Sequence, residues 1–200
     1  MGRRSVAAER RQQIIAATVS CMATHGVSGT TLERIADTAG MARGHVRHFT
    51  GNRDELLTDA ARVFYFGDAA LDETDLDALA TRAPLVPRSS DVSGALDYLF
   101  GEFAVPGTEN AATLAFIDAG RTIPAIHDIV VRAYRGIEES LVDVLRRASP
   151  ARDARAYSRT AWAVLTIAMG NNFLNDLEPS DERIQDAREA AEQLIADFTA

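Results

Sequence analysis

The chain has 200 residues, 46% hydrophobic, 25% charged and 6% aromatic, which fits one or two globular domains and excludes collagenous and wholly disordered classes. The net charge of -8 is unevenly placed. Residues 1–62 carry nine arginines against six acids, whereas the remainder carries twelve against twenty-three, so a polyanion would be drawn to the N-terminal part and repelled by the rest. All 21 basic residues are arginine; a compositional bias of that kind means that no single arginine is by itself evidence of bidentate recognition. The lone cysteine, Cys21, excludes an intrachain disulfide framework and cysteine-rich zinc sites and fits a reducing compartment. The longest apolar run, residues 161–170, is shorter than the roughly 20 residues of a membrane helix. Residues 9–13 interrupt any signal-peptide pattern at the start. A cytoplasmic protein off the membrane is expected.

Helical signals dominate in chain order. Ile14, Ile15, Val19, Met22 and Ala23 recur at three- and four-residue spacings, predicting a helix over residues 7–24 that stops at His25-Gly26. Thr30-Thr31-Leu32-Glu33 reads as a capping box with Thr30 as the cap and Glu33 reaching back, opening a short helix to Ala39. Gly40 permits the left-handed conformation that a tight turn demands, and residues 42–49 form a second short helix. Gly51-Asn52 ends it, and Asn52 caps a helix opening on Arg53-Asp54-Glu55, whose acids suit a helix N-terminus. Residues 68–90 mix acids, alanine, Pro84 and Pro87 and read as a frayed helix end followed by a loop. Helices are then predicted over residues 92–103, capped by Asp91 or a neighbouring serine; 108–121, capped by Thr108; 124–148, with Pro124 as first residue; 152–177; and 181–198, capped by Ser180. The fold class is all-α, about nine helices, with no fixed-period repeat.

Residues 30–53 carry the sharpest chemistry. Two short helices joined by a glycine turn, with Ile35, Ala36, Ala39, Val46 and Phe49 facing inward, describe a helix-turn-helix. The second helix exposes Arg43, His45, Arg47 and His48, donors suited to base edges and phosphates in a major groove. Gly44 costs that helix about 1 kcal/mol relative to alanine, a cost that close approach to a phosphate or a packed neighbour would offset. An ordinary helical hairpin with solvated arginines is the alternative.

The run Thr31, Ile35, Ala36, Ala39, Gly40 and Gly44, followed by His48-Phe49-Thr50-Gly51-Asn52-Arg53 and Leu56-Leu57, resembles the DNA-binding region of the TetR family of transcriptional regulators over about residues 7–62. The variant nearest to residues 48–53 is that of the choline-responsive repressors. Three positions depart from the usual pattern: Thr50 stands for an aromatic residue, Arg47 for a tyrosine and Arg53 for a lysine. The resemblance implies a head over residues 1–52 that binds double-stranded operator DNA, and a helical body over residues 53–200 that binds a small-molecule effector and forms a homodimer, with the fourth helix as connector. It implies phosphate contacts from Thr31 and Arg53 and base readout from Arg43, His45 and Arg47 beside Gly44; His48 is either a phosphate contact or an interior histidine.

The body offers less specific signals. The helix over residues 152–177 is apolar on two faces, Trp162, Leu165 or Thr166, Met169 and Phe173 on one and Ala163, Ile167, Gly170, Leu174 and Leu177 on the other, so it must be covered twice. A four-helix dimer interface from the last two helices, using Ile167, Leu174, Ala191, Leu194, Ile195 and Phe198, is expected; burial within one chain is the alternative. An effector cavity is expected among Leu99, Phe103, Phe116, Arg121, Tyr134, Trp162, Met169 and Phe173, favouring a mostly apolar compound. His127, Asn171 and Asn172 are further polar candidates. No nucleophile elbow, phosphate loop or metal-ligand spacing is present, so no enzyme, cofactor or metal is expected. The sequence therefore predicts a ligand-responsive regulator, in the sense of a repressor released from a palindromic operator. The competing reading is a helical small-molecule-binding or enzymatic protein whose N-terminal hairpin is structural.

Overall fold

The computed structural model describes residues 6–87, 90–101 and 107–199. Among them ten α-helices run in order: α1 (Val6–Gly29), α2 (Leu32–Ala39), α3 (Arg43–Thr50), α4 (Arg53–Phe66), α5 (Leu76–Arg82), α6 (Val92–Phe100), α7 (Thr108–Ala119), α8 (Pro124–Ala148), α9 (Ala154–Leu177) and α10 (Asp181–Thr199). A single 3-10 turn covers Asp68–Leu71. The all-helical expectation is met, with one helix more than the sequence suggests. That helix is α5, inside the stretch expected to be a loop. Asp75 accepts hydrogen bonds from the backbone N–H groups of Asp77 and Ala78 at 2.9 and 3.1 Å, and Leu79 and Ala80 are buried. Burial of one small apolar face outweighs the acid-rich composition that hid it.

Helix ends follow local chemistry. α1 continues to Gly29 through a kink at Gly26 (φ 63°, ψ -175°), the residue expected to stop it. At the next helix the expected cap is one residue out of place: Thr31, not Thr30, accepts from the Arg34 backbone N–H at 3.2 Å. Thr30 is buried and donates instead to the Gly26 carbonyl at 2.7 Å, an acceptor left open by the kink. Asn52 and Glu55 form a complete capping box on α4, each bond 2.9 Å. Asp91 caps α6 through the Gly94 N–H at 2.8 Å, Ser180 caps α10 through the Arg183 N–H at 3.3 Å, and Pro124 opens α8.

The chain divides into two compact units. The first comprises the described residues of Met1–Leu79 and Ala111–Arg132. Its core gathers Ile14, Ile15 and Met22 of α1, Ile35 and Ala36 of α2, Val46 of α3, and Leu56, Leu57 and Ala60 of α4, all buried. Phe116 is buried in the same unit beside Phe64, ring centroids 5.3 Å apart. The second comprises the described residues of Ala80–Asn110 and Ala133–Ala200. Its core takes Leu96, Leu99 and Phe100 of α6, Ile137, Leu141, Val144 and Leu145 of α8, Ala161, Val164, Leu165 and Ala168 of α9, and Ala191 and Ile195 of α10. No helix among the described residues is long and apolar enough to cross a membrane.

Candidate nucleic-acid interface

α2 and α3 are held at a fixed angle by backbone geometry. Gly40 adopts the left-handed conformation (φ 63°, ψ 36°), and the N–H groups of Gly40 and Met41 close the α2 terminus on the Asp37 and Ala36 carbonyls at 3.1 and 2.9 Å. Any L side chain there would be strained. From α1, the Gln13 amide donates to the Ala39 carbonyl at 2.8 Å. The buried Cys21 thiol lies 3.3 Å from the Thr38 hydroxyl, as a small core group between α1 and α2.

α3 divides cleanly. Val46 and Thr50 are buried and Phe49 half-buried, whereas Arg43, Gly44, His45, Arg47 and His48 are exposed. His48 is therefore not an interior histidine. No atom of the described residues lies within 4 Å of where a Gly44 Cβ would sit, so the glycine is not there for a packed neighbour within the chain. Its open backbone lies on the outward face, with Arg43 and Arg47 one turn apart beside it. Ala42 supplies no side-chain cap to α3, and the His45 N–H closes on the Ala42 carbonyl at 2.9 Å, so in the first turn the Arg43 and Gly44 N–H groups are the ones an anion could reach. Thr31 is exposed at the start of α2.

Arg53 has a different environment. Its Nε donates to the Thr30 carbonyl at 2.7 Å, one terminal nitrogen donates to the Val27 carbonyl, and the other lies 3.3 Å from Asp54. The guanidinium thus clamps the start of α4 onto the α1–α2 connection. Other arginines of the basic N-terminal segment are also engaged: Arg11 and Arg62 pair with Asp59 at 2.7 and 3.3 Å, and Arg34 donates to the Gly29 carbonyl at 2.5 Å. Charge counting cannot separate these structural arginines from Arg43 and Arg47.

The residues expected around an effector separate into different surroundings. In the first unit Phe116 is fully buried and Arg121 is exposed in the turn after α7. In the second, Leu99 is buried in the core, and Tyr134 and Met169 pack partly buried against it. Phe103 lies outside the described residues. Trp162 and Phe173 are 60% and 50% exposed; they do not line an enclosed cavity but stand on the outer face of α9, opposite Ala161, Val164, Leu165 and Ala168. The inward face is neither of the two expected stripes: Leu165 turns in while Trp162 and Phe173 of its stripe, and Gly170, Leu174 and Leu177 of the other, are exposed. His127 is exposed, 3.2 Å from Asp128. Asn172 is buried and accepts from the Asn110 amide at 2.5 Å. Asn171 is 9% exposed, and its Nδ2 has no hydrogen-bond partner among the described residues. It borders a cleft of about 340 Å3 with Ile167, Leu174 and Ala187.

The expected dimer residues also part company. Ala191 and Ile195 are buried within the chain, against the second unit's own core, and so present nothing to a partner. Ile167, Leu194 and Phe198 are half-buried, and Leu174 is 59% exposed. Trp162 and Phe173, expected around an effector, and Leu177, expected on the other stripe of the helix, form an exposed apolar row.

Two short helices joined by a glycine turn and packed on α1, the second presenting arginines and histidines outward, define a helix-turn-helix head. Residues 14–60 match the model for "Bacterial regulatory proteins, tetR family". The chain is 34% identical over 76 residues to the HTH-type transcriptional repressor AcnR of Corynebacterium jeikeium, covering 37% of this chain and 40% of that protein. It is 28% identical over 160 residues to the HTH-type transcriptional regulator BetI 2 of Chromohalobacter salexigens, covering 78% of this chain and 73% of that one. Among solved structures, a TetR transcription regulator from Haloarcula marismortui superposes with a TM-score of 0.71 at 20% identity, covering 94% of this chain and 97% of that one. The multidrug binding protein EbrR complexed with proflavin does so with 0.56 at 21%, covering 92% and 99%. These likenesses in structure establish the fold.

Proposed function

We propose that the chain is a dimeric, ligand-responsive transcriptional regulator that represses by occupying a near-palindromic operator in the cytoplasm and acts by binding, without catalysis. The observation that carries this reading is the outward face of α3, where Arg43, Arg47, His45 and His48 surround a glycine whose missing side chain makes room for no neighbour among the described residues. Arg43 and Arg47 read base edges in the major groove, Gly44 lets the backbone approach the DNA closely, and Thr31, His48 and the uncapped start of α3 hold phosphates. Arg53 acts as a positioning residue, holding α4 and the α1–α2 connection in register. An enzyme with a merely structural hairpin has no use for that arrangement.

Two copies pair through the exposed apolar face of α9, which a monomer would leave in water. The effector is a mostly apolar small molecule bound by the body, a reading supported by the fold shared with a protein whose solved structure holds proflavin. The test is protection mapping on genomic fragments. A two-fold symmetric footprint is expected, because a symmetric dimer imposes its symmetry on the site; protection of one half-site alone, or of none, overturns the reading.

A further inference from the structure

Asn171, Asn172 and Asn175 occupy neighbouring turns of α9, and all three are buried. Two of them have structural duties. Asn172 accepts from the Asn110 amide at 2.5 Å, and Asn175 accepts from the Ser180 backbone N–H at 2.8 Å, closing the turn into α10. Asn171 is 9% exposed, and its Nδ2 is shut off from solvent without a hydrogen-bond partner among the described residues. A leucine would fill the same space and leave no donor unsatisfied, so an amide in that state is waiting for an acceptor that its own surroundings do not supply.

Asn171 borders a cleft of about 340 Å3 that lies wholly within the second unit. Ile167, Asn171 and Leu174 share one face of α9 by their spacing and form one wall, and Ala187 of α10 stands on the other. At the exposed rim, Glu178 and Asp186 set two carboxylates against the single guanidinium of Arg183, which already pairs with Glu178 at 2.9 Å. The cleft is separate from the aromatic set expected around an effector: of those candidates only Asn171 borders it among the described residues. These features define a ligand. The volume is near the lower end of the roughly 300–1,000 Å3 of small-molecule sites, which requires a compact compound, and the aliphatic walls require an apolar body. The surplus carboxylate at the rim disfavours an anion. The side-chain amide of asparagine turns about a broad χ2 torsion, so Nδ2 can swing to the floor of the cleft at little cost. We infer that the cleft between α9 and α10 binds a compact, neutral, mostly apolar carbonyl compound whose oxygen accepts a hydrogen bond from Asn171 Nδ2. The inference rests on the effector reading proposed above, to which it gives a place and a polar contact.

The experiment titrates the full-length chain with acetophenone and with α-methylstyrene, which carries C=CH2 in place of C=O at nearly the same shape. Binding is followed by the NMR signals of side-chain amides, the Asn171 pair being identified by its loss in Asn171→Leu. Wild type is expected to bind acetophenone about fivefold or more tightly than the alkene and to show a shifted Asn171 signal, because the alkene leaves the donor buried and unpaired. In Asn171→Leu the two compounds are expected to bind within about twofold of one another, with a thermal midpoint unchanged or raised. Ala187→Phe, which fills the cleft from its other wall, is expected to weaken both by about tenfold or more. Equal binding of the two compounds by wild type, no binding of either at its solubility limit, or binding that Ala187→Phe leaves intact overturns the site. A dimer dissociation constant that sedimentation shows shifted tenfold or more in Asn171→Leu also overturns it, since the amide is then partnered by a second copy. The effector reading is judged apart from the site: acetophenone that binds at Asn171 without releasing operator DNA overturns that role and leaves the site standing, whereas a different apolar compound that releases DNA from a chain indifferent to acetophenone keeps the role and overturns the site.

Discussion

At the scale of single residues, the arginines of the head divide by what they touch. Arg43 and Arg47 face outward from α3, so replacing either by alanine is expected to erode discrimination between operator and random DNA. Each good base contact is worth roughly 1 to 3 kcal/mol, measurable as the ratio of specific to non-specific affinity at one salt concentration; an equal loss on both DNAs would place the residue on the backbone instead. Arg53, which holds the Thr30 and Val27 carbonyls, is expected to behave differently. Arg53→Ala should lower the stability of the chain by about 1.5 to 3 kcal/mol, the range for hydrogen bonds to a charged group, and weaken binding to every sequence alike. A thermal melt of the DNA-free protein distinguishes this from loss of a phosphate contact, which would leave stability untouched. Gly51 is a third position of this kind: at φ 76°, ψ -138° a Cβ would collide with the Glu55 carboxylate. Gly51→Ala is expected to cost about 1 to 3 kcal/mol, with part of that from disruption of the α4 cap.

At the scale of elements, α4 and α5 show how short signals decide helix placement. The Asn52–Glu55 capping box satisfies two otherwise open N–H groups at the start of α4. Asn52→Ala should therefore destabilise by about 1 kcal/mol, seen as a lower denaturant midpoint with unchanged slope. α5 depends on packing: Leu79 is 1% exposed, and Leu79→Ala is expected to cost about 2 to 5 kcal/mol, as other buried leucines do. A cost below 1 kcal/mol would mean that α5 is not part of the cooperative structure. α9 is the opposite case, a helix apolar on both faces. Its inner face is anchored by Tyr157, whose hydroxyl donates to the Ser149 carbonyl at 2.6 Å and whose ring meets Phe198 at 5.5 Å. α10 is fastened to α6 by Arg188, bonded to Asp97 at 2.6 Å and to Glu192 of its own helix at 2.9 Å. Partial burial depresses the guanidinium's proton affinity, and the two carboxylates outweigh that effect and raise it overall. Glu178 at the α9–α10 turn is held below the usual carboxylate range by its hydrogen bond and charge interaction with Arg183.

At the scale of the whole molecule, the proposed switch is bound by reciprocity. An effector that releases DNA must bind the free protein better than the DNA-bound one, and DNA must weaken the effector by the same factor, with a coupling of about 1 to 3 kcal/mol in typical cases. Titrating the effector in the presence and absence of operator checks this: equal affinities would rule out the ligand-responsive half of the proposal and leave DNA binding intact. Operator affinity should also fall steeply with salt, by roughly 0.9 in log–log slope for each phosphate neutralised. A flat dependence is incompatible with binding through the α2–α3 face.

The sequence by itself determined the helices that have strong ends and one apolar face. The glycine turn at Gly40, the caps at Asn52, Asp91 and Ser180, and Pro124 at the start of α8 are local chemistry, legible because the stabilising partner lies within a few residues. The same locality made the outward residues of α3 readable, since burying Val46 turns Gly44 and His48 to the opposite side and leaves Arg43, His45 and Arg47 on the flanks. Where two solutions were locally equivalent, tertiary structure chose. Thr30 and Thr31 are alike as caps until the kinked end of α1 takes one of them, and Arg53 and Arg47 are alike as cations until the Thr30 and Val27 carbonyls come within reach of one. The inward face of α9 is likewise open until the core formed by α6, α8 and α10 covers Val164 and Leu165 and leaves Trp162 and Phe173, expected on the same stripe as Leu165, outside. For Arg53 and α9 the deciding partner is remote in sequence, and its position follows from packing that no local spacing encodes; for Thr30 it is the Gly26 carbonyl four residues back, turned by a backbone kink that the side-chain pattern does not announce.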